Sequence, residues 1–195
     1  MDVQMTGAYN YQLDKSSGDK GEKTIIKFLE KQFNLKYVRS SEFREGETPS
    51  DYDMLFKDIY DKNVTYEVKT DLYCKPGRDT GNIAIEHRRK GYKDETLIEK
   101  TGIRKSKSHY YIYYFWNLNE LWMIKTPELR KLIRSMVNSR EIGEPGSKKH
   151  KWMGDGLRSL SYLIPREQHR NHFLVYSFKR DELKNKQPLW LKLEV

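Results

Sequence analysis

One cysteine in 195 residues, Cys74, excludes an intramolecular disulfide framework and any metal site built from several thiolates. That scarcity fits a reducing, intracellular setting. No apolar run approaches the roughly 20 residues a membrane-crossing helix needs. The longest, Tyr110 to Trp116, is rich in tyrosine and reads as a buried strand. The first residues are acidic and polar where a secretory signal would carry an apolar core. The expectation is a soluble, cytoplasmic protein (host cytoplasm if viral) with no membrane partner. There is no Walker-type glycine-rich loop and no Gly-x-Ser-x-Gly elbow. His169 and His172 lack cysteine or acidic companions at ligand spacing and read as loop surface, not zinc ligands. Without an internal repeat or a second-domain boundary, residues 1–195 are expected to form one domain.

What the chain has in quantity is charge, with 37 Lys and Arg against 28 Asp and Glu, a formal +9. Such an excess suits a polyanionic partner, although solubility alone also accounts for it. Fourteen tyrosines and four tryptophans in so polar a chain serve either core packing or base stacking.

The remainder is organised around Asp53-Met54-Leu55-Phe56 and Val64 to Asp71. Both read as strands, with the polar stretch Lys57 to Asn63 as their hairpin connection. Alternation along a strand puts Val64, Tyr66 and Val68 on a core face and Thr65, Glu67, Lys69 and Asp71 on the other. A hairpin brings Asp53 beside Glu67. Two carboxylates and an amine converging there suit a divalent cation and an activated water, and oxygen ligands favour magnesium or manganese. Asp51 competes with Asp53 for the ligand role. Asp53 is preferred because an apolar strand follows it directly, which leaves Asp51 to shape the loop or support the ligands from behind.

An acid heading one strand and Glu67-Val68-Lys69 within the next resembles the PD-(D/E)XK nuclease superfamily, especially its phage-type and bacterial members. The proline of the motif's name is missing before Asp53, with Pro49 lying upstream instead. The resemblance covers about residues 20–140 and implies a restriction-endonuclease-like α/β core, a mixed central β-sheet flanked by helices. It implies that Asp53, Glu67 and the Val68 carbonyl bind magnesium or manganese while Lys69 positions and helps deprotonate the attacking water. Glu-x-Lys taken alone is a weak signal and reads first as a solvated pair on an exposed strand face; the context on both sides is what turns it toward a site.

Before the hairpin, a helix capped near Asp19 carries the stripe Ile25, Ile26, Leu29 and Phe33. Glu22 lies on that stripe; it either complements the helix dipole in the first turn or faces the metal, as first-helix glutamates do in the superfamily. Lys36 to Arg39 reads as a short strand, and Leu72 to Gly81 as a loop. Asn82 to Glu86 reads as the next strand, and the run ending at Glu86 resembles one that follows Glu-x-Lys in the superfamily. Glu86 is then an auxiliary acid, or else a surface glutamate at a strand end.

His87 to Ser108 carries a net +5 and reads as a loop or short helix over the site. Arg88, Arg89, Lys90, Arg104, Lys105 and Lys107 are its candidates for holding phosphates. Members often have Ala-Asp where this chain has Ser108-His109, which leaves that aspartate's role unfilled here. Tyr110 to Trp116 and Leu121 to Ile124 follow as strands, and Thr126 caps a helix with Pro127 at its first position and the stripe Leu129, Leu132, Ile133 and Met136. Residues 141–195 are expected to form a basic extension containing strands at Leu160 to Pro165 and Phe173 to Phe178.

These readings combine into a metal-dependent nuclease, with DNA favoured over RNA as substrate. The rival is a basic α/β module that binds DNA or RNA without cutting it. Many relatives are homodimers, but the sequence carries no interface signature.

Overall fold

The computed structural model describes residues 21–40, 52–91, 96, 98–153 and 158–178. The Asp19 cap, Asp51, the polar lead-in and the basic tail beyond residue 178 lie outside the described residues.

Helix α1 spans residues 21–33. Three strands follow: β1 (Lys36–Ser40), β2 (Met54–Lys57) and β3 (Asn63–Asp71). Next come β4 (Asn82–Lys90), β5 (Ile98–Lys100), β6 (Tyr110–Phe115), β7 (Glu120–Lys125) and helix α2 (Thr126–Asn138). The described chain closes with β8 (His150–Met153), β9 (Ser159–Pro165) and β10 (Leu174–Ser177). No described helix is long and apolar enough to cross a membrane.

The main sheet has six strands in the order β1-β2-β3-β6-β7-β10. Only β3 and β6 run parallel, which makes the sheet mixed and the protein α/β in class. Strand alternation sorts its two faces. Tyr66 and Val68 of β3, with Ile112, Tyr114, Leu121 and Met123, pack against Ile25, Phe28 and Leu29 of α1. Tyr111, Tyr113, Phe115, Trp122 and Ile124 point the other way, onto α2. Leu129, Leu132, Ile133 and Met136 are buried as their helical spacing requires. Thr126 is the first residue of α2, not its cap, and its hydroxyl is held at 2.9 Å from that of Ser108.

The sequence does not announce a second sheet, of four strands in the order β5-β4-β9-β8, all pairs antiparallel. It packs on the α2 side of the main sheet, where Ile83, Ile85, Tyr162 and Ile164 complete the core. Two expectations change. Asn82–Lys90 is one long strand of this second sheet, and His87 to Lys90 is therefore strand, not loop. Beyond residue 140, β9 pairs with β4 and β10 with β7, so these strands are built into both sheets.

Candidate active site

The site forms where β2 parts from β3. Their ladder runs only from Lys57↔Asn63 to Met54↔Tyr66, while β3 continues beside β6 as far as Asp71↔Phe115. Asp53 fills the gap that opens on the β2 side. Its N–H donates to the Tyr66 carbonyl at 2.9 Å, and its Oδ2 accepts from the Val68 N–H at 2.7 Å. An extended residue presents its N–H and C=O to the same edge, so the Val68 carbonyl faces the Asp53 side as well. Lys69 Nζ stands 3.0 Å from Glu67 Oε1 and 4.0 Å from Asp53 Oδ2. The two carboxylates anticipated from the motif thus converge on the Lys69 ammonium.

Burial separates their electrostatics. Glu67 is only 7% exposed because the second sheet and the loop after β5 cover what a lone sheet would leave wet. Desolvation accordingly raises its pKa; the Lys69 ammonium works against that rise and the Asp53 charge adds to it. Burial opposes the charge on Lys69 too, but the Asp53 and Glu67 carboxylates outweigh it and raise its pKa.

The other anticipated residues are distributed around this centre. Ser40 Oγ lies 3.5 Å from Glu22 Oε2, and Ser40 is the ladder partner of Met54. Glu22 therefore reaches the sheet end where Asp53 sits, from the α1 side, opposite the face that carries Glu67 and Lys69. Glu86 belongs to the second sheet, 4.0 Å from Arg89 Nε. Its charge acts on the Tyr111 hydroxyl together with those of Lys69, Glu67 and Asp53. Asp71, on the Lys69 face, is committed elsewhere: it accepts from the Tyr73 and Cys74 N–H groups and from the Tyr113 hydroxyl.

Arg88, Arg89 and Lys90 end β4, with Lys90 Nζ 5.1 Å from the Trp152 ring centroid. Arg104, Lys105 and Lys107 are exposed on the loop after β5. That loop is fixed to its neighbours. Gly102 has φ +48, and a Cβ there would meet the Glu86 carbonyl oxygen at 2.3 Å. Arg130 of α2 donates to the Ile103 carbonyl at 3.0 Å and also to that of Ser106.

Two site residues escape a reading of the sequence. Ser106 is buried between exposed Lys105 and Lys107, its Oγ 3.0 Å from that of Ser108, and its hydroxyl acts to lower the Glu67 pKa. The Lys-Ser-Lys-Ser alternation was the available signal. Tyr111, opposite Glu67 in the β3–β6 ladder, is 1% exposed. Burial raises the pKa of its phenol against the influence of Lys69.

Among the described residues no group of three or more His, Cys, Asp and Glu side chains could hold a metal. Magnesium does not require such a group, since it keeps several waters and takes one or two carboxylates. Asp53, Glu67 and the Val68 carbonyl offer hard oxygens at one edge, so the donor chemistry fits magnesium or manganese.

No family model matches the chain, and no curated protein sequence does. Among solved structures it is similar to a bacterial homing endonuclease, at 17% identity over 57% of this chain and 68% of that one, with a TM-score of 0.41. A superposition this loose assigns neither family nor activity. The residues define a class: an α/β protein with a mixed sheet and two carboxylates around one partly exposed lysine.

Proposed function

We propose that the chain is a magnesium- or manganese-dependent nuclease that hydrolyses phosphodiester bonds, acting as a DNA endonuclease. The observation that carries this reading is the convergence of Asp53 and Glu67 on Lys69 at the point where β2 leaves β3. Asp53, Glu67 and the Val68 carbonyl are the residues to hold a divalent ion. When bound, it would relieve charge at the phosphate oxygens and ease ionisation of a water.

The protein's own groups then have distinct tasks. Lys69 stays an ammonium while two carboxylates face it, so it first orients the attacking water by donating to it. It becomes a better proton acceptor once their negative charge is neutralised. Ser106 acts on Glu67 through its hydroxyl and carries Lys105 and Lys107 on either side, exposed at the rim where the phosphates of a bound strand pass. Arg88, Arg89 and Lys90 extend that basic rim along β4. Glu86, whose charge reaches the site from the second sheet, would hold water there, and Glu22 would do so at the strand end from the α1 side.

The test is cleavage of labelled linear, branched and single-stranded DNA and of RNA, with and without magnesium. DNA cleavage is expected only with the metal, and Asp53→Ala and Lys69→Ala should each abolish it while circular dichroism shows an intact fold. Binding without cleavage under every metal condition would identify a non-catalytic nucleic-acid module, and preference for RNA would correct the substrate.

A further inference from the structure

Tyr111 and Tyr113 of β6 stand on the same face of the main sheet as Glu67 and Lys69, on the adjoining rungs Glu67↔Tyr111 and Lys69↔Tyr113. The two phenols have different fates. Tyr113 donates to Asp71 Oδ2 at 3.1 Å. The Tyr111 hydroxyl is buried without a hydrogen-bond partner among the described residues. A hydroxyl buried in that way costs free energy that phenylalanine on the same rung would avoid, so its presence calls for a reason. Its surroundings supply one, since the groups whose charges act on it are Lys69, Glu67, Asp53 and Glu86.

We propose that Tyr111 is a positioning residue for Lys69, its hydroxyl oxygen accepting a hydrogen bond from the ammonium when Asp53 and Glu67 turn to a divalent ion. An ammonium has three donors, and as it stands Glu67 takes one at 3.0 Å. A divalent ion held by Asp53 and Glu67 would compete for their lone pairs and repel the Lys69 ammonium. The lysine side chain is already 41% exposed, and with no other acceptor its flexible stem swings to solvent. The Tyr111 oxygen lies on the same face, is neutral, and cannot follow the ion. It retains the amine where the attacking water needs it.

The catalytic part of this inference rests on the nuclease reading, whereas the contact itself does not. Tyr111→Phe removes one oxygen and keeps the ring. In protein labelled with 15N-lysine, the Lys69 ammonium resonance, identified by its loss in Lys69→Arg, should survive addition of magnesium chloride in the unsubstituted chain and broaden away in Tyr111→Phe. In cleavage assays the same variant should lose about tenfold to a hundredfold in kcat, with KM within about twofold. A Lys69 resonance indifferent to Tyr111, with and without magnesium, overturns the proposal even if the chain proves a nuclease. A dependence on Tyr111 in a chain that cleaves nothing retains the contact and removes the nuclease reading instead.

Discussion

Glu67 decides the energetics of the site, because it is the one carboxylate there that burial and a like charge both disfavour. Lys69 offsets them. Removing that ammonium with Lys69→Ala leaves the acid beside Asp53 with a pKa raised further. A carboxyl whose folded pKa lies above its unfolded value stabilises the fold while protonated and loses that contribution as pH rises through the folded pKa. The variant should therefore be close to the unsubstituted chain near pH 4.5 and progressively less stable toward neutrality. The full cost of breaking a buried pair is several kcal/mol, but Lys69 is 41% exposed and screened, so about 1 kcal/mol is expected at pH 7. Urea midpoints in EDTA at the two pH values check this. At the residue scale, the period of a strand was enough to put Glu67 and Lys69 on one face. It could not say that the face is covered, nor that Ser106 and Tyr111 meet it, because those facts depend on which distant segments pack there.

Among the elements, the loop after β5 is pinned by Arg130, and Gly102 within it leaves no room for a side chain. With φ +48 and the Glu86 carbonyl oxygen 2.3 Å from any added Cβ, Gly102→Ala must shift the backbone. A loss of about 1–3 kcal/mol is expected. Because Ser106 rides on this loop, cleavage should fall as well, whereas Gly77→Ala, strained by its φ of +79 but with nothing within 4 Å of its added Cβ, should lose stability and leave cleavage intact. Thermal melts and cleavage rates of the two variants separate these outcomes.

The second sheet has a pH dependence of its own. His87 continues the inward alternation of Ile83 and Ile85 beside a bulge between Glu86 and Arg88; its Nε2 lies 2.8 Å from that of His150 and its ring stacks on Tyr162 at 3.9 Å. Burial, and then the His150, Arg104 and Arg88 charges, push the His87 pKa down to about 3; burial lowers that of His150. Both are neutral when folded, so their contribution is complete above the unfolded value near 6.5 and is lost as pH falls toward the folded one. His87 then costs up to about 1.4 kcal/mol for each pH unit below 6.5. Urea midpoints should fall between pH 7 and pH 5, and less steeply in His87→Phe. Neither the bulge nor the sheet shows in local pattern. Ile83 and Ile85 alternate as in any strand, and nothing in that alternation tells β4 to pair with residues such as Pro165 rather than with β3.

For the whole molecule, the question is where the +9 is used. The two faces of the main sheet make that answerable. α1 covers the face away from Glu67 and Lys69 and presents Lys23 and Lys27 to solvent, whereas Lys105 and Lys107 flank Ser106 on the side of the carboxylates. Each phosphate neutralised by a bound cation releases counterions and adds about 0.9 to the negative slope of log K against log salt. If nucleic acid lies across the site, Lys105→Gln with Lys107→Gln should reduce that slope by about 2 in magnesium-free binding measurements. Lys23→Gln with Lys27→Gln changes net charge by the same amount and should leave the slope unaltered, with only a small, uniform weakening from the long-range field. Fluorescence anisotropy on a labelled duplex between about 50 and 200 mM salt resolves a difference of that size. Equal slopes in both double variants would mean that the positive charge acts diffusely, and the site would then lose its claim to a polyanionic substrate even with its carboxylates correctly placed.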